Sequence, residues 1–263
     1  MPACGVLVPG VNDAAATLLG IGGMTPGVGA INLGTSAMYR TVIRRPALDR
    51  TRWMRLQTYH LIRGLWLGGA GVNNAGNVRA WLVRLFGLQD ERALDALAAR
   101  VPPGADGALG LPFLTGDRDP RIGGDAAGAF LRLRERHGAG HLARAATEGI
   151  CYKLRMVGDL MREHGMRVHA VRAGGGGTNS RLWVQTLADV LNAPVQLTET
   201  PHPSLVGTAM VALVATGRFP SLAEASRRMV RLGRVVRPDR RRAALYAEGM
   251  KRFAAACLGV ACR

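Results

Sequence analysis

Glycine-centred turns that follow short apolar runs constrain the fold of this chain more than any other feature. The largest is a run of four glycines at residues 174–177, which follows an apolar run at residues 168–173 and precedes helical spacing at residues 182–191. Glycine lets a ligand approach the backbone closely, and the amino terminus of the next helix favours polar or anionic groups. The residues alone fit a nucleotide-binding turn and a tight structural turn equally well.

An isolated acid, Asp13, stands at another such turn. We expect a strand at residues 5–8, a turn at Pro9-Gly10 and an alanine-rich helix after Asp13. Asn12 or Asp13 can cap this helix, because short polar side chains accept hydrogen bonds from its first free N–H groups. A carboxylate at the mouth of a turn can also accept the proton of a substrate hydroxyl. Capping and proton transfer do not exclude each other.

Two further turns carry polar groups. Gly34-Thr35-Ser36 joins expected strands at residues 29–33 and 37–43. Its backbone N–H groups and hydroxyls suit phosphate oxygens, although Gly-Thr-Ser is also ordinary hairpin chemistry. Residues 68–77, rich in glycine and asparagine, follow a short expected strand at residues 65–67 and precede a helix. Their asparagines suit a polyol or a ribose, or simply fill a turn.

Strands alternate with helices along the rest of the sequence, which predicts an α/β layered domain around a largely buried sheet. Residues 101–125 are expected to form a loop around a short apolar piece at 109–114. The remaining expected elements are a long helix at 141–164, a strand at 195–197, a helix at 205–215 and a purely helical tail beyond Pro220.

The charge pattern argues against a dedicated nucleic-acid surface. The net charge of +17 comes almost entirely from arginine spread along the whole sequence, and not from one stripe, so incidental polyanion binding is only a minor hypothesis. No apolar run approaches the roughly 18 residues of a membrane span, and the first residues lack a signal-peptide pattern. We therefore expect a cytoplasmic protein without a membrane partner. The histidines lack metal-ligand spacing, so no metal-ligating residues are predicted.

Taken in order, these segments resemble the carboxyl-terminal half of the FGGY carbohydrate kinases, the family that includes gluconokinase, xylulokinase and glycerol kinase. The resemblance extends from about residue 5 to about residue 238. It rests on five segments. Gly10-Val11-Asn12-Asp13-Ala14-Ala15 is similar to the family pattern GxxDxxA, and Gly34-Thr35-Ser36 to its GTS turn. Residues 69–82 are similar to GGxxNNxGxxxxWL, residues 112–120 to P-[FY]-L-x-G-[ED]-R-x-P, and residues 175–185 to GGGAxSxxWxQ.

This resemblance implies a fold and a chemistry. The fold would be an actin-like ATPase lobe of ribonuclease-H-like α/β type, with a mixed sheet flanked by helices. Residues 1–238 would form the carboxyl-terminal kinase domain and residues 239–263 a final helix of the same lobe. The activity would be transfer of the γ-phosphate of ATP, with Mg²⁺, to a hydroxyl of a sugar or sugar acid, weakly favouring gluconate. Asp13 would be the general base, and Thr35, Gly76, Gly176 and Ser180 would bind the nucleotide.

Two positions depart from the family pattern. Arg132 stands where the family has a glycine, and Thr147 stands where it prefers an apolar residue before the acid Glu148. We expect local differences in packing at both.

The family's amino-terminal lobe, which carries a second phosphate loop and much of the sugar pocket, has no counterpart in this sequence. Two hypotheses of different class therefore stay open. The chain is either the catalytic lobe of a sugar kinase, completed by an amino-terminal lobe in trans or by a homo-oligomer, or a non-catalytic nucleotide-binding fragment or split subunit. A single lobe cannot close over a substrate to exclude water.

Overall fold

A seven-stranded mixed sheet forms the centre of the protein. The computed structural model describes residues 7–200 and 202–259. The strands of the main sheet are β1 (Val28–Leu33), β2 (Ala37–Ile43), β3 (Gln57–Ile62), β4 (Leu65–Val72), β7 (Ala170–Gly174), β8 (Val195–Thr198) and β9 (Leu232–Val236), in the spatial order β3-β4-β2-β1-β7-β8-β9. A separate two-stranded sheet pairs β5 (Leu109–Leu111) with β6 (Ala129–Leu131).

Helices cover both faces of the main sheet. They are α1 (Asp13–Gly20), α2 (Gly76–Leu85), α3 (Glu91–Ala99), α4 (Ala139–Glu163), α5 (Arg181–Leu191), α6 (Pro203–Ala215), α7 (Leu222–Met229) and α8 (Arg240–Gly259). Successive residues of a strand point to opposite faces, so Ile31 packs in the larger core with α4 and α5, whereas Ala30 packs in a smaller core with α1, α6 and α7. The expected mixed sheet flanked by helices is confirmed.

The direction of the strands brings several strand ends to one edge. β1 runs parallel to β7, and β2 is antiparallel to both β1 and β4, so β1, β4 and β7 all end at the same edge of the sheet. The turns that follow these three strands are the polar turns singled out in the sequence. This arrangement follows from pairing across the sheet, which no local segment specifies.

The glycine-rich stretch after residue 67 is mostly strand, which corrects the expected turn at residues 68–77. β4 continues to Val72, and the turn starts only at Asn73. Its glycines are needed because side-chain and backbone atoms of neighbouring segments lie close to the strand there. A Cβ on Gly68 would lie 2.7 Å from Met166 Sδ, and one on Gly69, which has a φ of +143°, would lie 2.2 Å from the carbonyl oxygen of Tyr39.

Other expectations at the two ends of the sequence need correction. The tail beyond Pro220 is not purely helical, because β9 lies within it and pairs antiparallel with β8. The run Leu232-Gly233-Arg234-Val235-Val236 forms a strand because it pairs with β8. The helical spacing of the neighbouring residues gives no sign of this pairing. The strand expected at residues 5–8 lies partly outside the described residues, and Leu7 and Val8 belong to no strand. The elements β3, α3 and β6 were not anticipated.

Helix α8 packs on the same core as the rest of the domain. Tyr246 and Phe253 are almost fully buried against it. The Tyr246 hydroxyl donates to Glu148 Oε1 at 2.8 Å, and Arg144 Nε donates to the same oxygen at 2.9 Å. Burial raises the pKa of Glu148 even though Arg144 opposes this shift.

Within the described residues, no helix combines the length and apolar character needed to cross a membrane.

Candidate functional site

The turn after β1 is bonded directly to the start of α2. The Gly76 amide donates to the carbonyl oxygen of Gly34 at 2.9 Å, and the Asn77 amide donates to that of Thr35 at 3.0 Å. A Cβ on Gly76 would lie 2.6 Å from the same Gly34 oxygen, so only glycine allows this approach. The Gly76 amide is thus used within the protein, while Thr35 is exposed at the tip of the turn.

The four-glycine turn after β7 packs against the end of β1. Gly175 has a φ of +93°, and a Cβ there would lie 2.5 Å from Asn32 Oδ1. A Cβ on Gly177 would lie 2.6 Å from the ring of Trp183. Gly176 differs from both, because it is exposed and no atom lies within 4 Å of the position of an added Cβ. Gly175 and Gly177 are therefore required by packing, whereas Gly176 faces open space.

Ser180 has a structural task in the next helix. Its side chain caps α5, with Oγ accepting a hydrogen bond from the Trp183 amide at 3.0 Å, and the residue is 8% exposed. The Thr178 hydroxyl donates to the Gly175 carbonyl at 2.7 Å and closes the turn from the other side. A ligand in this turn would meet the exposed backbone around Gly176 before it reached the Ser180 hydroxyl.

Asp13 is the first residue of α1, and its carboxylate is exposed. The capping role belongs to Asn12, whose Oδ1 accepts from the Ala15 amide at 2.8 Å. Asp13 Oδ1 accepts from the neighbouring Ala14 amide at 2.7 Å. An exposed acid at a helix amino terminus is favoured by the helix dipole. The structure thus assigns the cap to Asn12 and leaves the Asp13 carboxylate exposed.

The start of α1 lies over the sheet near the turns. Ala15, two residues after Asp13, packs in the same apolar cluster as Met38, which follows the Gly34-Thr35-Ser36 turn on β2. The charge of Asp13 also acts on Arg40 of the same strand, where it raises the pKa of the guanidinium against the larger lowering effect of burial. Asp13 therefore lies on the side of the sheet from which Met38 and Arg40 project.

Sequence reasoning missed the polar cluster around Arg40. Arg40 is 2% exposed on β2, and its Nη2 donates to Gln57 Oε1 at 2.6 Å. Arg118 approaches from the loop after β5, with its Nε donating to Asn73 Oδ1 at 2.6 Å. The signal in the sequence was an arginine in the middle of a mostly apolar strand at residues 37–43. A buried arginine is rare unless its charge is paired, so Arg40 could have been singled out.

Among the described residues, no group of three or more His, Cys, Asp or Glu side chains is placed to hold a metal ion. A magnesium ion bound by one or two carboxylates and by substrate phosphates does not need such a group.

Comparison with known proteins identifies the family. The model for the carboxyl-terminal domain of the FGGY family of carbohydrate kinases matches residues 29–216. The chain belongs to this family. It is 33% identical over 226 residues to a gluconokinase of Bacillus licheniformis, covering 81% of this chain and 44% of the relative. It is 32% identical over 255 residues to a xylulose kinase of Klebsiella pneumoniae, covering 95% of this chain and 51% of the relative.

Solved structures of FGGY kinases share the fold. The xylulose kinase of Rhodospirillum rubrum matches with a TM-score of 0.83 and 33% identity, over 94% of this chain and 50% of that one. The gluconate kinase of Lactobacillus acidophilus matches with a TM-score of 0.84 and 26% identity, over 94% and 50%. The chain thus spans about half the length of the relatives it matches. Asp13 precedes the residues matched by the family model.

The two departures from the FGGY pattern have local explanations. Arg132 has a φ of +60°, the left-handed region in which a glycine is most at ease. Thr147 Oγ1 accepts a hydrogen bond from Arg79 Nη1 at 2.9 Å and donates to the Ala143 carbonyl at 2.9 Å. Because Arg79 is fully buried, the threonine supplies an acceptor that an apolar residue would not.

Proposed function

We propose that this chain is the nucleotide-binding lobe of an ATP-dependent sugar kinase, which transfers the γ-phosphate of ATP to a hydroxyl of a sugar or sugar acid, with a gluconate-like acceptor favoured. The observation that carries the proposal is the meeting of the Thr35, Gly76 and Gly176 turns at one edge of the sheet, together with the exposed carboxylate of Asp13 at the start of α1. The names of its relatives support the reaction class.

Asp13 would act as the general base. Its exposed carboxylate would accept the proton of the acceptor hydroxyl while the hydroxyl oxygen attacks the γ-phosphorus and the bond to the β-phosphate oxygen breaks. Phosphoryl transfer depends mainly on positioning and on stabilisation of negative charge. α1 supplies the positioning, because Asn12 caps it and Ala15 and Ala16 are buried beneath it.

The nucleotide would lie over the exposed tips of the turns. Thr35 would contact phosphate, and the open backbone at Gly176 would lie against the nucleotide, where the absence of a side chain leaves room. Gly76 would contribute by holding α2 close to the Thr35 turn, and Ser180 by fixing the start of α5. ATP supplies the transferred group, and Mg²⁺ neutralises its phosphates.

A glycine substitution tests nucleotide binding without disturbing the fold. Gly176→Ala adds a methyl group into space that the protein leaves empty, so the thermal midpoint should stay unchanged. Binding of MgATP to the purified chain, measured by calorimetry, should weaken by at least about tenfold if the nucleotide occupies that space. Gly138→Ala, also free of neighbours within 4 Å and distant in sequence, is the matched control. Equal affinities in all three proteins would contradict the nucleotide position.

A second candidate is a nucleotide-binding lobe that does not catalyse transfer by itself. It is favoured by the coverage of only about half of each relative. Production of ADP from MgATP and gluconate, measured with the chain alone and with an amino-terminal kinase lobe added in trans, separates the two candidates. Turnover by the chain alone would contradict the second candidate.

The role of Asp13 is tested in whichever of these samples shows turnover. There, Asp13→Asn should lower kcat by about 10²-fold or more, and an unchanged kcat would contradict the assignment of Asp13 as the base.

A further inference from the structure

Arg40 is a buried cation whose hydrogen bonds are incomplete. Its Nη2 donates to the neutral Gln57 Oε1, but Nε and Nη1 are buried and have no hydrogen-bond acceptor among the described residues. The guanidinium carbon lies 4.9 Å from the ring centre of Tyr59, which favours the charged form. Buried guanidinium groups are costly unless their N–H groups are bonded to an anion or another acceptor, so this arrangement points to a missing acceptor.

Other buried arginines of the chain have acid partners. Arg79 Nη2 meets Asp95 at 2.6 Å, and Arg144 Nε meets Glu148 at 2.9 Å. Arg40 has no such partner among the described residues, although it is as deeply buried as they are. Its unpaired state is therefore particular to this position.

Arg118 lies over the same face of the sheet. Arg40 pairs with Gly69 and Met38 pairs with Gly71, so both glycines present the face from which Arg40 projects. Arg118 Nη1 lies 3.0 Å from the position of a Cβ on Gly71, and the missing side chain leaves room for it. Arg118 is exposed, and its own bond goes to the neutral Asn73. The site thus holds two cations bonded to amide oxygens.

The charge of one acid, Asp13, also acts on Arg40. Burial lowers the pKa of Arg40, the charge of Arg118 lowers it further, and Tyr59 and the charge of Asp13 raise it. The two arginines therefore repel each other, and the acid that favours the charged form of Arg40 is the one proposed to take the proton of the acceptor hydroxyl. A ligand that has both a carboxylate and a hydroxyl would satisfy the two groups together.

We propose that Arg40 and Arg118 bind the carboxylate of a sugar-acid acceptor and thereby select it over neutral sugars. This rests on the proposed kinase function and deepens it by naming the acceptor class. The exposed Arg118 side chain shifts to admit the carboxylate, which then accepts one hydrogen bond from an unpaired nitrogen of Arg40, Nε or Nη1, and another from the Arg118 guanidinium. The carbon chain of the acceptor extends from there toward Asp13.

The test compares sodium gluconate with glucitol, its neutral counterpart with a hydroxymethyl group in place of the carboxylate. Both are titrated into the ¹⁵N-labelled full chain, and the arginine Nε–H resonances are followed. Gluconate should shift the Arg40 resonance, and it should bind at least about tenfold more tightly than glucitol, as expected for charge-assisted hydrogen bonds. Absence of a gluconate-dependent shift of Arg40 would overturn the proposal.

Substitutions assign the selectivity. Arg118→Gln at the exposed position and Arg40→Met should each weaken gluconate binding by about tenfold or more and leave glucitol binding unchanged. Arg84→Gln removes an exposed arginine from α2 and controls for the loss of net charge. If Arg40→Met does not fold, Arg118→Gln alone decides. An equal loss for both ligands, or an equal loss in Arg84→Gln, would contradict carboxylate recognition.

MgATP affinity, measured on the same samples, separates this proposal from the kinase function. Unchanged MgATP binding with lost gluconate preference supports the carboxylate site. Weakened MgATP binding in Arg118→Gln with gluconate unaffected would assign the pair to phosphate and overturn the proposal. A wild-type chain that binds gluconate through Arg40 but never binds MgATP would contradict the kinase function and leave the carboxylate site standing.

Discussion

The Gly76 amide donates to the Gly34 carbonyl oxygen at 2.9 Å, and this bond joins the start of α2 to the turn that carries Thr35. Because a Cβ on Gly76 would lie 2.6 Å from that oxygen, the two backbones can meet only at a glycine. The relative position of two proposed nucleotide-contacting segments therefore depends on one missing side chain.

Gly76→Ala should push these segments apart. We expect a loss of about 1–3 kcal/mol in the free energy of unfolding, measured by denaturant titration, because the backbone must shift to relieve the contact. MgATP affinity should fall in parallel. Gly176→Ala, whose added methyl group meets no atom within 4 Å, should keep wild-type stability. Equal stability of Gly76→Ala and wild type would show that the contact is easily relaxed.

Arg132→Gly should stabilise the chain. The left-handed backbone at φ +60° is unfavourable for arginine, and glycine removes that cost while adding some entropy to the unfolded chain. The net gain should be up to about 1 kcal/mol, seen as a higher Tm in calorimetry. Arg134→Gly, an exposed neighbour outside the left-handed region, should give no gain. A lower Tm for Arg132→Gly would mean that the arginine side chain contributes more than its backbone costs.

Thr147→Val should destabilise the larger core although the two side chains have almost the same shape. It removes the acceptor of Arg79 Nη1 and leaves a buried donor unpaired, which costs about 1–3 kcal/mol. Thr208→Val is the matched control, because Thr208 makes the same hydrogen bond to the carbonyl four residues earlier but lies on an exposed helix face. Chemical denaturation of both variants provides the comparison, and equal losses would contradict the assigned role of Thr147.

Asp49 should make stability depend on pH in the acid range. Burial alone raises the pKa of its carboxyl, but hydrogen bonds from Thr51 and Arg55 together hold that pKa well below its usual value. A depressed pKa contributes stability above the unfolded-state value near 4, and this contribution is lost as the pH falls toward the folded-state value.

Asp49→Asn removes this dependence. The free energy of unfolding of wild type should exceed that of Asp49→Asn at pH 6, and the difference should shrink steadily below about pH 4. Denaturant titrations at pH 6, 4 and 3 measure it. A difference that stays constant over this range would show that the carboxylate charge has no part in the stabilisation.

The sequence by itself determined the class of the fold, the identity of the polar turns and the presence of an acid at the start of α1. These features are local, since glycine, capping residues and apolar spacing act within a few residues. Tertiary structure decided which turns meet, because the end of β1 contacts both Gly76 and Gly175 only through sheet pairing. It also turned the glycines after Leu67 into a strand, and it added β9 to a tail that reads as helical.

Tertiary structure alone also assigned tasks to single side chains. Asn12 caps α1 and Asp13 stays exposed, and the Ser180 hydroxyl accepts a hydrogen bond from a backbone amide of α5. Arg40 lies in a mostly apolar segment, and only the structure shows that it is buried with two nitrogens that lack acceptors among the described residues. Such roles depend on long-range contacts and on the loss of water around each group. The residues next to each position in the sequence do not determine either of these.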